Sequence, residues 1–265
     1  MNCYVLMPSI GRTFMSIETE QFDLEKRQNI SRIGDDNDLK SFSRTWQLEA
    51  SKYNYIYNFS WLGRPIIQLP QDVFAMQELI WSIQPDLIIE TGIAHGGSLI
   101  FSASMLELNA ACGGPLEAEV LGVDIDIRAH NREAIEAHPL GKRISMIQGS
   151  SIAPEVIELV RARAAGKQRV MVCLDSNHTH DHVLAELEAY APLTSVGSYC
   201  VVFDTAIEEM PAEMCSDRPW GPGNNPKTAV WEFLKTTDRF EIHQEISNKV
   251  LITVAPDGYL RRVKD

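Results

Sequence analysis

The chain has 265 residues, 45% of them apolar, with a formal net charge of −12 at pH 7. That is room for one large α/β domain with an N-terminal extension. The acidic balance argues against a nucleic-acid partner held by a basic face, and no apolar run is long enough to span a membrane.

Met1 to Met15 lacks the basic start and long apolar stretch of a signal peptide. Cys3, Cys112, Cys173, Cys200 and Cys215 are scattered, with no C-x-x-C pair. That is the pattern of a reducing compartment, so a cytoplasmic protein is expected. Residues 1–60 are read as a helical extension, with a weak helical spacing over Phe22–Ile33, a loop over Ile33–Asp38 and an aromatic-rich stretch from Leu39 to Tyr57. It is expected to cover the main domain, to form a homo-oligomer contact, or to close an aromatic over the active site. The domain itself is expected over 61–265. Trp61-Leu62-Gly63-Arg64-Pro65 reads as a turn, and Asp72 as the N-cap of a helix over Val73–Ser82.

From there strands and helices alternate. Strands are expected at Leu87–Glu90, Val120–Asp124, Ile144–Gln148, Val170–Asp175 and Tyr199–Asp204. Helices are expected at Ser98–Leu108, Arg128–Ala137, Pro154–Ala165 and Asp181–Ala191. Continuous apolar strands between amphipathic helices imply a parallel sheet covered on both faces. Met210–Pro226 is a Pro/Gly-rich loop containing Trp220, and a helix follows at Thr228–Leu234. Phe240–Ile246 and Lys249–Ala255, joined at Ser247-Asn248, read as a terminal hairpin.

In such sheets ligands bind beyond the carboxyl ends of the strands. Glu90, Asp124, Gln148, Asp175 and Asp204 each end an expected strand, which marks that edge as a site. After the first strand come Thr91, Gly92, Ile93, Ala94, His95, Gly96, Gly97 and Ser98. This is not the G-x-G-x-x-G spacing of dinucleotide folds. Glu90 would repel a pyrophosphate but suits a ligand carrying an amino group. The turn resembles motif I of the class I S-adenosylmethionine (SAM) methyltransferases, which puts Glu90, Gly92, Ala94, Gly96 and Ser98 at the cofactor. Asp124, with Asp126 as runner-up, is placed to accept the ribose hydroxyls. Ser150 and Ser151, small polar residues after the third strand, are placed near the adenine.

Asp175 and Asp204 end strands that should be neighbours. Two adjacent carboxylates repel unless a proton or cation lies between them, and Mg²⁺ takes hard oxygen ligands. Thr205 or Glu208 is expected to complete the shell. His178, His180 and His182 follow Asp175 closely. His178 is the first choice for a general base, His180 the second, and His182 is read as structural. The cluster resembles only in part the metal motif of metallo-β-lactamases, being one residue short.

With these residues assembled, the chain resembles the family named for cephalosporin hydroxylase, a branch of the SAM-dependent methyltransferases that includes sugar O-methyltransferases. The likeness runs over roughly residues 60–263. It is carried by Glu90–Ser98, Gly122–Asp126, Leu174-Asp175-Ser176-Asn177-His178, Val202-Phe203-Asp204-Thr205, Arg218–Thr228 and Val254–Leu260. It implies a Rossmann-like seven-stranded sheet with the seventh strand antiparallel, SAM and Mg²⁺ as cofactors, and methyl transfer to a hydroxyl of a sugar or natural-product diol. The site is also similar to that of the catechol-type O-methyltransferases. Matching their motif residue by residue puts the metal on Asp175, Asp204 and Thr205, and the base at His178. Thr205 stands where that family has Asn, and Phe203 where some relatives carry Glu. The alternatives are a metal-dependent hydrolase or oxygenase using the His178–His182 cluster, or a non-catalytic partner subunit of the same fold.

Overall fold

The computed structural model describes residues 17–265. The signal-peptide expectation and Cys3 lie outside those residues. Two helices come first, α1 (Ile17–Asp35) and α2 (Asn37–Ser51). The loop expected over Ile33–Asp38 is therefore a single break. Asp36 forms it by accepting the Leu39 N–H at 2.8 Å, the bond of a helix N-cap. Next, β1 (Phe59–Trp61) and β2 (Arg64–Ile66) pair as a hairpin. Leu62 and Gly63 both have positive φ there, the geometry of a two-residue hairpin turn.

The expected N-cap at Asp72 is corrected. Helix α3 (Pro70–Ile83) starts at its proline, a residue whose fixed φ and missing N–H suit the first helical position. Asp72 lies fully buried inside it and accepts hydrogen bonds from Thr253 Oγ1, Val254 N–H at 2.9 Å and Tyr259 OH at 2.8 Å.

The expected α/β alternation is present. In chain order it runs β3 (Leu87–Thr91), α4 (Gly97–Ala111), β4 (Glu119–Asp124), α5 (Ala129–Glu136), β5 (Ile144–Gln148), α6 (Pro154–Ala164), β6 (Val170–Leu174), α7 (His180–Tyr190) and β7 (Tyr199–Val202). It ends with α8 (Pro226–Thr236), β8 (Phe240–Ile242), α9 (Gln244–Val250) and β9 (Tyr259–Arg262). One seven-stranded sheet has the order β5-β4-β3-β6-β7-β9-β8, with β9 antiparallel to both neighbours. Strands β3 and β6 are buried at every residue, and apolar clusters pack on both faces of the sheet. A run of buried Val, Ile and Leu has no solvent face to alternate with, so it reads as continuous.

The hairpin expected at Ser247-Asn248 is not formed. Residues 244–250 are helix α9, and β8 pairs with Tyr259–Arg262 instead. Ile242, Ile246 and Val250 are four apart, a spacing that serves a helix face as well as a strand. Gly258 lets the chain pass close against β7 just before the last strand. A Cβ there would lie 2.0 Å from the Val202 carbonyl oxygen, so only glycine fits, and the Val202 N–H donates to the Gly258 carbonyl at 2.8 Å.

Candidate active site

The order of the sheet brings the carboxyl ends of β3, β4, β6 and β7 to one edge. The turn after β3 opens helix α4, and Gly92 takes φ +91° there. A Cβ on Gly92 would stand 2.1 Å from the Asp175 carbonyl oxygen, and one on Gly97 would stand 2.1 Å from that of Pro65. These glycines let the turn touch β6 on one side and the β1–β2 hairpin on the other. The requirement is close protein packing, beyond any approach of a ligand.

Asp124 holds the turn from below. One carboxylate oxygen accepts the Ile93 N–H at 2.7 Å, and the other accepts the Asp126 N–H at 2.9 Å. From outside, Asn131 donates to the Ala94 carbonyl at 2.9 Å, and Arg64 Nε donates to that of His95 at 3.0 Å. A carboxylate has about four lone-pair sites, so Asp124 keeps acceptor capacity towards the cavity it lines.

Glu90 is only 5% exposed and accepts a hydrogen bond from the Ser98 hydroxyl. Burial pushes its carboxyl up to about 7, with the Ser98 bond pulling the other way. Beside it, Asp175 is also raised well above the usual carboxylate range, first by burial, then by the negative charges of Asp204 and Glu90. His178 Nε2 lies 3.2 Å from Asp204 Oδ2. Among the described residues, Asp175, His178 and Asp204 form a group whose ligand atoms lie within 4.8 Å of one another. Two carboxylates and an imidazole are a donor set that fits a divalent cation.

A cavity of about 270 Å³ joins these parts: Gly92, Ala94, Ser98, Asp124, Asp175, His178 and Asp204 all line it. A second cavity, of about 360 Å³, shares His178 and Asp204 with the first. Its walls are mainly apolar and aromatic, with Trp46, Tyr55, Tyr57, Ile207, Met210, Met214 and Trp220 among them. The His178 ring meets Trp220 edge to face at 4.8 Å, and the Arg218 guanidinium stands 5.6 Å over the same indole. Such a site has a polar, acidic floor and a wall suited to the apolar face of a ring.

The family model for rhamnosyl O-methyltransferase/CmcI matches residues 53–263. The chain belongs to this family. Rhamnosyl O-methyltransferases of Mycobacterium bovis and Mycobacterium tuberculosis are 31% identical to it over 232 residues, which is 83% of this chain and 88% of each relative. Among solved structures, CmcI with Mg and SAM is similar at a TM-score of 0.54 and 19% identity, over 78% of both chains. An O-methyltransferase from Bacillus cereus in complex with SAH matches at a TM-score of 0.50 and 16% identity, over 86% of this chain and 92% of that one. At those identities the two structures speak for the fold. Family membership bears out the resemblance read from the sequence and the expected O-methyltransferase class.

Two site expectations need correction. Thr205 is fully buried and its hydroxyl donates to the Pro256 carbonyl at 2.6 Å, so it is turned away from the carboxylates, and His178 takes the third place beside them. His180 is not at the cavity. Its Nδ1 lies 2.8 Å from Thr228 Oγ1 and its N–H donates to Asn224, which ties α7 to α8 and the Trp220 loop. The Ser151 hydroxyl lies 3.0 Å from His182 Nε2, which also meets Ser176 at 3.2 Å. The three histidines thus diverge, and the hydrolase alternative loses its metal cluster. Ser150 and Ser151 are not among the residues lining the cavities, and Asp126 is an exposed acid that lines only a smaller cavity with Asp124 and Arg128.

Sequence reasoning missed Gln68 and Val254, which line the cavity of about 270 Å³ beside Tyr57, the end of the aromatic stretch expected to reach the site. Gln68 had one signal: a lone amide inside the apolar run Ile66-Ile67-Gln68-Leu69. Val254 had none. It reaches the site because Asp72 accepts its N–H and its carbonyl accepts that of Ala206 at 3.1 Å, two residues past Asp204.

Proposed function

We propose that the protein is a SAM-dependent, magnesium-assisted O-methyltransferase acting on a hydroxyl of a sugar or natural-product diol. The observation that carries this reading is the meeting of Asp175, His178 and Asp204 with the Gly92–Ser98 turn in one cavity. The relatives named for rhamnose support a deoxysugar acceptor, and the CmcI structure with Mg and SAM supports the cofactors.

In this reading Glu90, reached past Ser98, pairs with the methionine ammonium. Asp124 takes the ribose hydroxyls on its remaining lone pairs. Asp175 and Asp204 would hold Mg²⁺, which would lower the pKa of a coordinated hydroxyl. His178 accepts the acceptor's proton as the oxygen takes the sulfonium methyl. The protein's further contribution is to hold the oxygen in line with that methyl. Tyr57 and Trp220 lie on the wall where a sugar ring would stack, so the end of the extension, from Trp46 to Tyr57, forms part of the acceptor site beside the 61–265 domain.

The test is calorimetric titration of SAM into metal-free protein, with and without Mg²⁺, and into Glu90→Ala. Micromolar binding lost in the variant, followed by transfer to a rhamnoside and its loss when one of two vicinal hydroxyls is removed, is the expected result. A wild-type transfer rate in Asp175→Asn would overturn the metal role. Failure of the wild type to bind SAM would favour the non-catalytic partner subunit.

A further inference from the structure

The sheet holds the two strand-end acids unequally. Asp175 continues the ladder, its N–H donating to the Thr91 carbonyl at 2.9 Å. On the β7 side the ladder stops one residue before Asp204, with the Phe203 N–H on the Leu174 carbonyl at 3.0 Å. Asp204 then turns the chain with φ +57°, a left-handed conformation in which the Cβ of an L-residue crowds the backbone. Such a conformation persists only where its surroundings fix it.

Here two bonds fix it, and both come from one segment. The Thr205 hydroxyl donates to the Pro256 carbonyl at 2.6 Å, and the Ala206 N–H donates to the Val254 carbonyl at 3.1 Å. Residues 253–256 lie between α9 and β9, outside any helix or strand, so they need an anchor of their own. Asp72 supplies it. From within α3, fully buried, its carboxylate accepts from the Thr253 hydroxyl and from the Val254 N–H at 2.9 Å. Thr253 Oγ1 in turn accepts the Ala255 N–H at 2.9 Å. A further bond, from Tyr259 OH at 2.8 Å, ties the same carboxylate to the first residue of β9. A fully buried acid is costly unless its oxygens are bonded, and these oxygens hold the segment that stands behind Asp204.

We propose that Asp72 is a positioning residue for the metal site: it fixes residues 253–256, which hold the left-handed turn that aims Asp204 at Asp175 and His178. The inference rests on the magnesium-assisted reading above. It also gives Thr205, turned away from the carboxylates, a part in their geometry.

The test measures two ligands separately in wild type, Asp72→Leu, Asp72→Asn, Thr253→Val and Thr205→Val. Mn²⁺ replaces Mg²⁺ so that the free ion is counted by electron paramagnetic resonance, and SAM is titrated calorimetrically into metal-free protein. Leucine keeps the approximate shape of aspartate and accepts no hydrogen bond, whereas asparagine loses the charge and keeps an oxygen for the Val254 N–H. Each valine removes one hydroxyl of the relay. Asp72→Leu and both valine variants should weaken Mn²⁺ by about tenfold or more, the size of one lost hydrogen bond. Asp72→Asn should stay within about threefold of wild type for Mn²⁺, and every variant within about threefold for SAM, which also shows that they are folded. The two valine variants decide the matter if Asp72→Leu fails to fold. Unchanged Mn²⁺ affinity in either of them would overturn the inference, as would joint loss of Mn²⁺ and SAM. A loss in Asp72→Asn as large as theirs would overturn it too, because the charge of Asp72 would then be acting and not its hydrogen bonds. A wild type that binds SAM and no Mn²⁺ would instead overturn the magnesium-assisted reading.

Discussion

In the function proposed above, the two halves of the site are built from different materials. The cofactor half, around Gly92, Asp124 and α4, is backbone held by backbone: glycines that let three segments touch, and a carboxylate that fixes two N–H groups. The acceptor half is side chains from distant segments, Tyr57 from before the domain and Trp220 from the loop after β7, converging on His178. A pocket made by local backbone needs a fixed sequence, and one made by remote side chains does not. The first half is therefore where a local motif, Glu90–Ser98, is legible in the sequence, and the second is where none marks the residues.

Mutations should divide along the same line. The largest effect is expected at the shared floor. Asp175→Asn and Asp204→Asn should each lower kcat on the order of 10²- to 10³-fold, with SAM affinity nearly unchanged, measured by single-turnover transfer and calorimetry. Loss of SAM binding in both would mean that the two halves are one unit.

How much of this was legible follows the same physics. The parallel strands showed themselves because burial on both faces leaves continuous apolar runs such as Leu87-Ile88-Ile89. The Gly92–Ser98 turn and the paired Asp175 and Asp204 were legible because each is fixed by its position at a strand end. The terminal hairpin was misread because Ile242, Ile246 and Val250 satisfy a helix as well, and nothing local reveals that the strand partner lies at Tyr259. Thr205 was misassigned for a related reason. Its hydroxyl is drawn to Pro256, about fifty residues on, by a contact that only the tertiary fold creates. Tyr57 was legible as an aromatic available to the site, but its destination was not.

On the cofactor side, Glu90→Gln should weaken SAM by about 100-fold through loss of a buried charge partner, leaving the acceptor KM of the remaining activity unchanged. On the acceptor side, Trp220→Ala and Tyr57→Ala should raise acceptor KM by up to about tenfold, the scale of one aromatic ring contact, with SAM affinity intact. If Trp220→Ala weakens SAM instead, the chamber beyond His178 belongs to the cofactor, and the division between the halves is misplaced.

The smallest expected effect distinguishes two buried acids. Glu90 and Asp72 are pushed up by burial, to about 7 and about 6 respectively, above their values in an unfolded chain. In each the folded protein holds the proton more tightly than the unfolded chain does. Stability from these groups is therefore full below pH 4 and is lost as pH rises to about 6 for Asp72 and about 7 for Glu90, by an upper bound of about 3 kcal/mol apiece. SAM binding should run the other way, because a methionine ammonium needs Glu90 ionised. Affinity should rise by about fourfold from pH 6.5 to 8 as Glu90 loses its proton. Asp72, whose carboxylate is bonded to Thr253, Val254 and Tyr259, has no part in that rise. Relative to wild type, Asp72→Asn should flatten the pH dependence of thermal stability and keep that of SAM affinity, whereas Glu90→Gln should flatten both. A SAM affinity that stays pH-dependent in Glu90→Gln would move the ammonium's partner to one of the acids that line the cavity, Asp124, Asp175 or Asp204.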